Sequence, residues 1–215
     1  MGSYKKGIEM RARIIEESGV VFNQKGLQLT LDQLAAELQI TKGRITNYFP
    51  TKDHLFVALS QKYDLRFKEV TSSLTLEEEL SFRFLHRLYS AVMDLQYEHR
   101  STIIFAALTN SSQKEMHSQI TESYRNNSKG VRYSMESLVQ AGLLTPLILD
   151  KREFEIFSFQ FINLFTTWVI SLEIYHHTSG YKKMKQIYLK GIMRSFYPYL
   201  TKKGQAQLRE LKIIS

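Results

Sequence analysis

The chain has 215 residues, with 29 lysines and arginines, 21 aspartates and glutamates, and no cysteine. Since domains hold about 100–200 residues, this length predicts one domain or two small ones. The lack of cysteine excludes a disulfide framework, a thiolate metal site and a cysteine nucleophile. Three prolines and ten glycines leave few helix breakers, so we expect an all-α fold. The net charge of +8 favours a polyanionic partner, but most of the excess lies in residues 151–215 and does not identify one.

Two helices are predicted in the first forty residues. Apolar residues spaced by three and four from Ile8 to Phe22 predict a first helix that ends near Gly26. Thr30 and Gln33 have the spacing of a capping box, in which each side chain accepts a hydrogen bond from the other residue's backbone N–H group. We therefore expect a short second helix to begin at Thr30.

A third helix is predicted to begin at Thr41 and to end by Phe49, because Pro50 disfavours helical backbone at the preceding residue. Thr51 then caps a longer fourth helix. The second and third helices are short and joined by a tight turn, which is the shape that places a recognition helix in a DNA major groove.

The rest of the chain is predicted to be a larger helical bundle, giving about nine helices in all. A second capping-box pattern at Thr75–Glu78 predicts the next helix start. Helical periodicity then covers residues 75–95, 98–111, 114–142, 152–178 and 181–200. The predicted division is a helix-turn-helix domain over 1–51, a connecting helix over 52–74, and a ligand-binding and dimerisation domain over 75–215.

On the third helix, Ile45 and Phe49 are four residues apart and are predicted to face inward. The side chains left outside include donors for phosphate oxygens and base edges, and none is acidic. These outward positions are Lys42, Gly43, Arg44, Thr46, Asn47 and Tyr48. An ordinary solvated helix face would have a similar composition, so this pattern alone favours DNA binding and a plain surface about equally.

A longer pattern surrounds this helix. A glycine, a Leu-Ala pair, an aromatic pair, a lysine and a leucine follow one another at Gly26, Leu34, Ala35, Tyr48, Phe49, Lys52 and Leu55. In this spacing the chain resembles the N-terminal domain of the TetR family of transcriptional regulators. The resemblance implies a bacterial homodimer that binds a palindromic operator, usually represses, and releases the DNA when a small molecule binds the larger domain.

The resemblance also implies roles for single residues. It places phosphate contacts at Thr30, Thr46, Tyr48 and Lys52, and base contacts at Lys42, Arg44 and Asn47. Arg44 is the leading candidate, because a guanidinium group matches the O6 and N7 atoms of guanine. Thr30 has an equally supported role as a helix cap. Thr46 departs from the family, which commonly has a tyrosine at this position, so a shorter hydroxyl replaces a phenol.

The stretch 154–177 has apolar residues on two sides, so we expect both sides to be covered. One side is predicted to face its own bundle and the other a second subunit, with the last long helix contributing close contact at a glycine. The resemblance agrees, because the family dimerises through its last two helices. The predicted interface residues are Phe157, Leu164, Leu172, Ile187 and Gly191. A monomer with a thick core is the alternative.

The remaining functional expectations concern ligands. Four aromatic residues suggest a pocket for an unknown effector, itself aromatic or hydrophobic, although aromatics at helical spacing also build cores. They are Tyr89, Phe105, Phe161 and Trp168. The six histidines show no metal-ligand spacing, so we expect no metal and no cofactor. There is no phosphate-binding loop or nucleophile elbow, and we do not expect an enzyme.

These observations favour a cytoplasmic, dimeric, ligand-released repressor. The uncharged run from Ile156 to Leu172 is predicted to be a buried helix and not a membrane span, because its 17 residues are shorter than the hydrocarbon core of a bilayer. The alternative is a helical small-molecule-binding or interaction protein that has lost operator recognition, and Thr46 is its main support.

Overall fold

The computed structural model describes residues 2–75, 80–108, 114–176 and 178–215. Within these ranges the fold is all-α, as predicted, with ten α-helices where about nine were expected, and no β-sheet. The helices are α1 (Gly2–Lys25), α2 (Leu31–Glu37), α3 (Lys42–Thr46), α4 (Lys52–Thr75), α5 (Phe82–Glu98), α6 (Arg100–Leu108), α7 (Lys114–Gln140), α8 (Lys151–Tyr175), α9 (Tyr181–Arg194) and α10 (Lys202–Glu210). Short 3-10 helices lie at Pro146–Leu149 and Tyr197–Tyr199.

The three predicted caps of the N-terminal helices are present. Thr30 forms both halves of the capping box, since its Oγ1 accepts from the Gln33 backbone at 3.2 Å and the Gln33 side chain accepts from the Thr30 backbone at 2.9 Å. Thr41 caps α3 through the Arg44 backbone at 3.3 Å. Thr51 accepts from the His54 backbone at 3.3 Å and begins α4. Each cap satisfies a helix N–H group that lacks an intrahelical partner.

The prediction that a helix begins at Thr75 is wrong. Thr75 is the last residue of α4, and the remainder of that capping-box pattern, residues 76–78, lies outside the described residues. The next helix begins at Phe82, where the Ser81 hydroxyl accepts from the Phe84 backbone at 3.1 Å. The tenth helix was not predicted. Its start is capped by Thr201, which accepts from the Gly204 backbone at 3.1 Å.

The chain forms two compact units. The N-terminal unit contains residues 1–68 and 95–117, and the C-terminal unit contains residues 69–94 and 118–215. The N-terminal unit therefore extends past the predicted domain boundary at residue 51 and takes in most of α4 together with α6. Sequence periodicity locates helices but does not show that α6 packs against α1, which lies 75 residues earlier in the chain.

The core of the N-terminal unit includes a large, fully buried apolar residue from each of the first four helices. Phe22, Leu34, Ile45 and Phe56 are all 1% exposed or less. The rings of Phe22 and Phe56 lie 4.8 Å apart, and Phe105 of α6 stacks on the other side of Phe56 at 3.7 Å. Burial of four such side chains stabilises the unit by about 1.5–3 kcal/mol each.

Polar contacts also attach α6 to the end of α1. The Asn23 side chain accepts from the Ser101 backbone at 3.0 Å and donates to the Glu98 carbonyl at 2.6 Å. The Arg100 guanidinium donates to the Asn23 carbonyl at 2.7 Å and lies over the Tyr97 ring at 4.5 Å. Asn23 thus forms hydrogen bonds with one backbone carbonyl and one backbone N–H group where α5 meets α6.

The C-terminal unit has an aromatic core. Phe157 of α8 lies 5.3 Å from Phe196 and meets Tyr199 edge-on at 5.8 Å, while Phe82 of α5 lies 5.4 Å from Phe196. These rings come from widely separated parts of the sequence. Tilted and edge-on pairs of this kind contribute about 0.5–1.5 kcal/mol beyond the area that they bury.

The exposure of residues on the two apolar sides of α8 differs from the prediction. Phe157 and Leu172, predicted to face a second subunit, are 0% and 3% exposed and pack inside their own unit, so this part of the prediction is wrong. The exposed apolar residues of α8 form another face, which contains Ile156, Phe159, Leu164 and Ile174. Both sides are apolar in sequence, and the residues that are covered depend on how α5, α9 and the segment after α9 pack on α8.

By length and composition alone, α8 is the one helix among the described residues that is suited to crossing a membrane. A buried core helix of a soluble protein passes the same test. The core contacts of Phe157, Phe161 and Trp168, each at most 3% exposed, agree with the predicted packing of α8 within a bundle.

The C-terminal segment docks on the turn that follows α7. Thr201 donates to the Gly142 carbonyl at 2.7 Å, and the Thr201 backbone donates to the Leu143 carbonyl at 3.2 Å. Gly204 approaches this backbone most closely, because a Cβ atom built on it would lie 2.1 Å from the Leu143 carbonyl oxygen. No side chain fits at this position without a backbone shift.

We expect Gly204→Ala to lower the free energy of unfolding by about 1–3 kcal/mol, the usual cost of overpacking a core. Gly130→Ala is the matched control, because a Cβ atom there meets nothing within 4 Å. In α7 that substitution raises helix propensity by about 1 kcal/mol. Urea unfolding followed by circular dichroism at one protein concentration compares the two, and equal midpoints would contradict the close approach at Gly204.

Candidate nucleic-acid interface

The orientation of α3 is determined by two buried residues. Ile45 is 0% exposed and Phe49, just after the helix, is 2% exposed, and both pack in the N-terminal core. The turn before α3 is tight: Gln39 has a φ of +55°, and the Ile40 backbone donates to the Ala35 carbonyl at 3.0 Å. The side chains of α3 that do not enter the core are therefore held on one outer surface.

Lys42, Gly43, Arg44 and Asn47 lie on this outer surface and are exposed, in agreement with their predicted outward positions. Lys42 forms an ion pair with Asp32 of α2, with a distance of 2.8 Å between Nζ and Oδ2. Exposed pairs of this kind contribute about 0–1 kcal/mol, so a phosphate can replace the carboxylate. Within the described part of the chain, the Arg44 guanidinium has no acidic partner.

Thr46 and Tyr48 are half-buried. The Thr46 hydroxyl donates to the Gly43 carbonyl at 3.3 Å, which is a bond within its own helix. Tyr48 packs at the edge of the N-terminal core, and its ring lies 6.5 Å from that of Phe49. The Thr46 hydroxyl therefore extends less far from this surface than the hydroxyl of a tyrosine would.

Thr30 caps the N-terminus of α2. Its hydroxyl and backbone N–H both bond to Gln33, in the capping box described above. The structural role predicted for Thr30 is therefore confirmed, and its phosphate contact stays a prediction. Substitution of such a cap costs about 0.5–2 kcal/mol, so a loss of function in a Thr30 variant would mix two effects.

Lys52, predicted to contact phosphate, is half-buried at the start of α4. Its ammonium group donates to the Leu27 carbonyl and lies 5.4 Å from the centre of the Phe22 ring. Burial lowers the pKa of Lys52 from its usual value, and the neighbouring Asp53 partly opposes this shift. Lys52 therefore joins α4 to the segment between α1 and α2.

Sequence analysis did not anticipate a contribution from α1. The Arg11 guanidinium lies over the Phe49 ring, 5.2 Å from its centre, and the side chain is exposed. The Tyr48 hydroxyl also reaches α1, since a Cβ atom on Gly7 would lie 3.6 Å from it. The spacing of Gly7 and Arg11 puts them on one helix face, but no sequence signal shows that this face meets the end of α3.

The predicted effector residues lie in both units. Tyr89 and Phe161 are in ring contact at 5.4 Å in the C-terminal unit, and Trp168 lies 6.1 Å from Tyr181. Phe105 is half-buried in the N-terminal unit and stacks on Phe56 at 3.7 Å, and its role as an effector residue stays a prediction. An aromatic residue at helical spacing serves a core and a pocket equally well in sequence.

The other predicted interface residues are accessible. Leu164 of α8 is 47% exposed, Ile187 of α9 is 54% exposed, and Gly191 of α9 is also exposed. The two helices that carry them, α8 and α9, pack on each other. In the ranges that the structure describes, no three histidine, aspartate or glutamate side chains are placed to hold a metal ion.

The segment that contains these features is similar to a known protein family. Residues 14–59 match the family model for the bacterial regulatory proteins of the tetR family. This segment contains α2 and α3, the caps at Thr30 and Thr41, and the outer surface of α3. No curated protein is significantly similar to the chain in sequence.

Solved structures show the same fold over nearly the whole chain. A TetR-family transcriptional regulator from Marinobacter aquaeolei VT8 superposes with a TM-score of 0.78 at 21% identity, covering 95% of this chain and 98% of that one. SmeT, the repressor of the Stenotrophomonas maltophilia multidrug efflux pump SmeDEF, gives 0.62 at 14% identity, covering 89% and 91%. A gamma-butyrolactone receptor gives 0.67 at 14% identity, covering 97% and 96%.

The family match covers the helix-turn-helix segment, and the structural matches extend through the C-terminal bundle. The chain therefore carries the N-terminal domain of the tetR family of bacterial regulatory proteins over residues 14–59, within the all-helical fold of a TetR-family transcriptional regulator.

Proposed function

We propose that this protein is a sequence-specific DNA-binding repressor that inserts α3 into the major groove. The observation that carries the proposal is the outer surface of α3, which is rich in hydrogen-bond donors, contains no acidic residue, and is held by the buried Ile45 and Phe49. Lys42, Arg44 and Asn47 contact base edges, and Thr46, Tyr48 and Lys52 contact phosphates. The match to the tetR family over the same segment supports this assignment.

Arg44 is the residue on which specificity depends most in this proposal. Its guanidinium is exposed and, among the residues described, unpaired with any acid, so binding does not first require an ion pair to break. A guanidinium fork donates two parallel hydrogen bonds to guanine O6 and N7. Lys42 must exchange Asp32 for a DNA acceptor and therefore contributes less.

The competing function is that of a helical ligand-binding or interaction protein that does not bind DNA. The half-buried Thr46, whose hydroxyl bonds within its own helix, favours this alternative. It predicts no salt-dependent affinity for duplex DNA. The repressor assignment takes support from SmeT, which has the same fold and represses an efflux pump.

If the cationic side chains of each subunit of a dimer neutralise about four phosphates, the logarithm of the DNA affinity should fall with the logarithm of salt concentration at a slope of about −7. Arg44→Ala should cost about 1–3 kcal/mol per half-site and relax discrimination at one base position. Fluorescence anisotropy with a labelled duplex measures both quantities.

Arg83→Ala is the matched control, because it removes the same charge from an exposed arginine of the C-terminal unit. It should leave affinity and discrimination unchanged. A salt slope near zero for the unmodified protein would favour the alternative function. Equal losses of affinity for Arg44→Ala on operator and random DNA would mean that Arg44 contacts the phosphate backbone and not a base.

We propose that the protein acts as a homodimer through an apolar face on α8 and α9. The face consists of Ile156, Phe159, Leu164 and Ile174 of α8 with Ile187 and Gly191 of α9, all exposed in the single chain. No charged residue occurs between Glu155 and Glu173, so the part of the face formed by Ile156, Phe159 and Leu164 contributes no charge that a partner must desolvate. A palindromic operator requires two copies of α3 related by a two-fold axis.

Light scattering at micromolar concentration should give about twice the 25.2 kDa chain mass. Phe159→Asp should yield monomer, because it places an unpaired charge in the buried face. Tyr133→Asp on α7 is the control, since Tyr133 is similarly exposed but lies on another helix. A monomeric unmodified protein, or a dimeric Phe159→Asp variant, would overturn the proposed interface.

A small-molecule effector completes the proposed function. SmeT forms a complex with triclosan, an aromatic hydrophobic compound, which supports an aromatic ligand here. The buried Tyr89, Phe161 and Trp168 of the C-terminal unit are the residues proposed to sense it. An effector weakens DNA binding only as far as it prefers the state that does not bind DNA, and the coupling is reciprocal.

Triclosan and related compounds can be screened by quenching of Trp168, the only tryptophan. We expect an effector to bind more weakly in the presence of operator DNA, by the same factor by which it weakens DNA binding. A ligand with equal affinity with and without DNA would not be the signal. Trp168→Phe should abolish quenching, which tests that the signal comes from the C-terminal unit.

A further inference from the structure

We propose that Arg11 of α1 is a further DNA-contacting residue, which binds a backbone phosphate beside the end of α3. This inference rests on the proposed DNA binding and extends the binding surface to a helix outside the helix-turn-helix. Two contacts with the end of α3 carry it, one at Phe49 and one at Tyr48.

The first contact places the guanidinium beside the end of α3. Its Cζ atom lies over the ring of Phe49, 5.2 Å from the ring centre, and Phe49 is buried in the N-terminal core. A cation at this distance is attracted to the face of the ring, and this attraction uses none of the N–H groups as hydrogen-bond donors. The contact also restricts the side chain before binding, which lowers the entropy cost of a phosphate contact.

The second contact places Arg11 beside a proposed phosphate ligand. Tyr48 reaches α1 at Gly7, with its hydroxyl 3.6 Å from the position of a Cβ atom on that glycine. Gly7 and Arg11 are one helical turn apart and lie on the same face. The Tyr48 hydroxyl and the Arg11 guanidinium therefore flank the same end of α3, where DNA backbone must pass if α3 enters the major groove.

The charge environment separates Arg11 from its neighbour Arg13. Arg13 bonds to Glu17 with a distance of 2.7 Å between Nε and Oε1, and this partner raises its pKa. Arg11 has no acidic partner in the portion of the chain described by the structure. Two exposed arginines of one helix thus differ in charge environment: Arg13 is neutralised locally, and Arg11 presents an uncompensated charge next to α3.

The test compares Arg11→Gln with Arg13→Gln, each of which removes one charge and retains most of the aliphatic stem. Fluorescence anisotropy with a labelled duplex of mixed sequence, about three helical turns long, is measured at several salt concentrations. We expect Arg11→Gln to weaken binding to all sequences and to reduce the salt slope by about one per subunit. Arg13→Gln should leave the slope of the unmodified protein unchanged.

Two further measurements make each outcome decisive. Arg11→Lys keeps the charge and loses the guanidinium fork, so it should retain the slope with a weaker affinity. Thermal unfolding confirms that each variant is folded. Equal slopes for Arg11→Gln and Arg13→Gln, with Arg44→Ala still impaired, would overturn the role of Arg11 and leave the proposed function standing. An unmodified protein that binds no duplex would refute the proposed function itself.

Discussion

The burial of Ile45 and Phe49 is the constraint on which the candidate interface depends. These two side chains insert into a core made by Phe22 and Phe56, and α3 has only five residues with which to hold its orientation. Such a short helix has little stability of its own, because helix nucleation is costly. Packing of its inner face therefore determines that Lys42, Arg44 and Asn47 project together from the opposite surface.

The local beginnings of the N-terminal helices were predictable because a cap is an interaction between residues three apart. Thr30 and Thr41 cap the helices that they were predicted to cap. The same pattern failed at Thr75, because a capping residue needs extended backbone and α4 continues to this position. The start of α5 is made instead by Ser81, whose sequence context lacks the second half of a capping box.

Packing between distant segments was not predictable from periodicity. Both sides of α8 are apolar and both contribute buried residues, so periodicity does not show that Phe157 packs against Phe196 and Tyr199 while Phe159 is exposed. The stacking of Phe105 on Phe56 likewise joins residues that are distant in the sequence. The contact between Arg11 and Phe49 joins residues 38 positions apart in the numbering and has no local signature.

The central claim is that two copies of α3 bind a specific, two-fold symmetric DNA sequence. Selection of bound duplexes from a random pool tests it most directly, because the selection itself yields the operator sequence. We expect enriched sequences with two inverted half-sites whose centres lie one helical turn, or a multiple of it, apart. Recovery of no enriched sequence, or of a single half-site without symmetry, would contradict the assignment of this protein as a dimeric DNA-binding repressor.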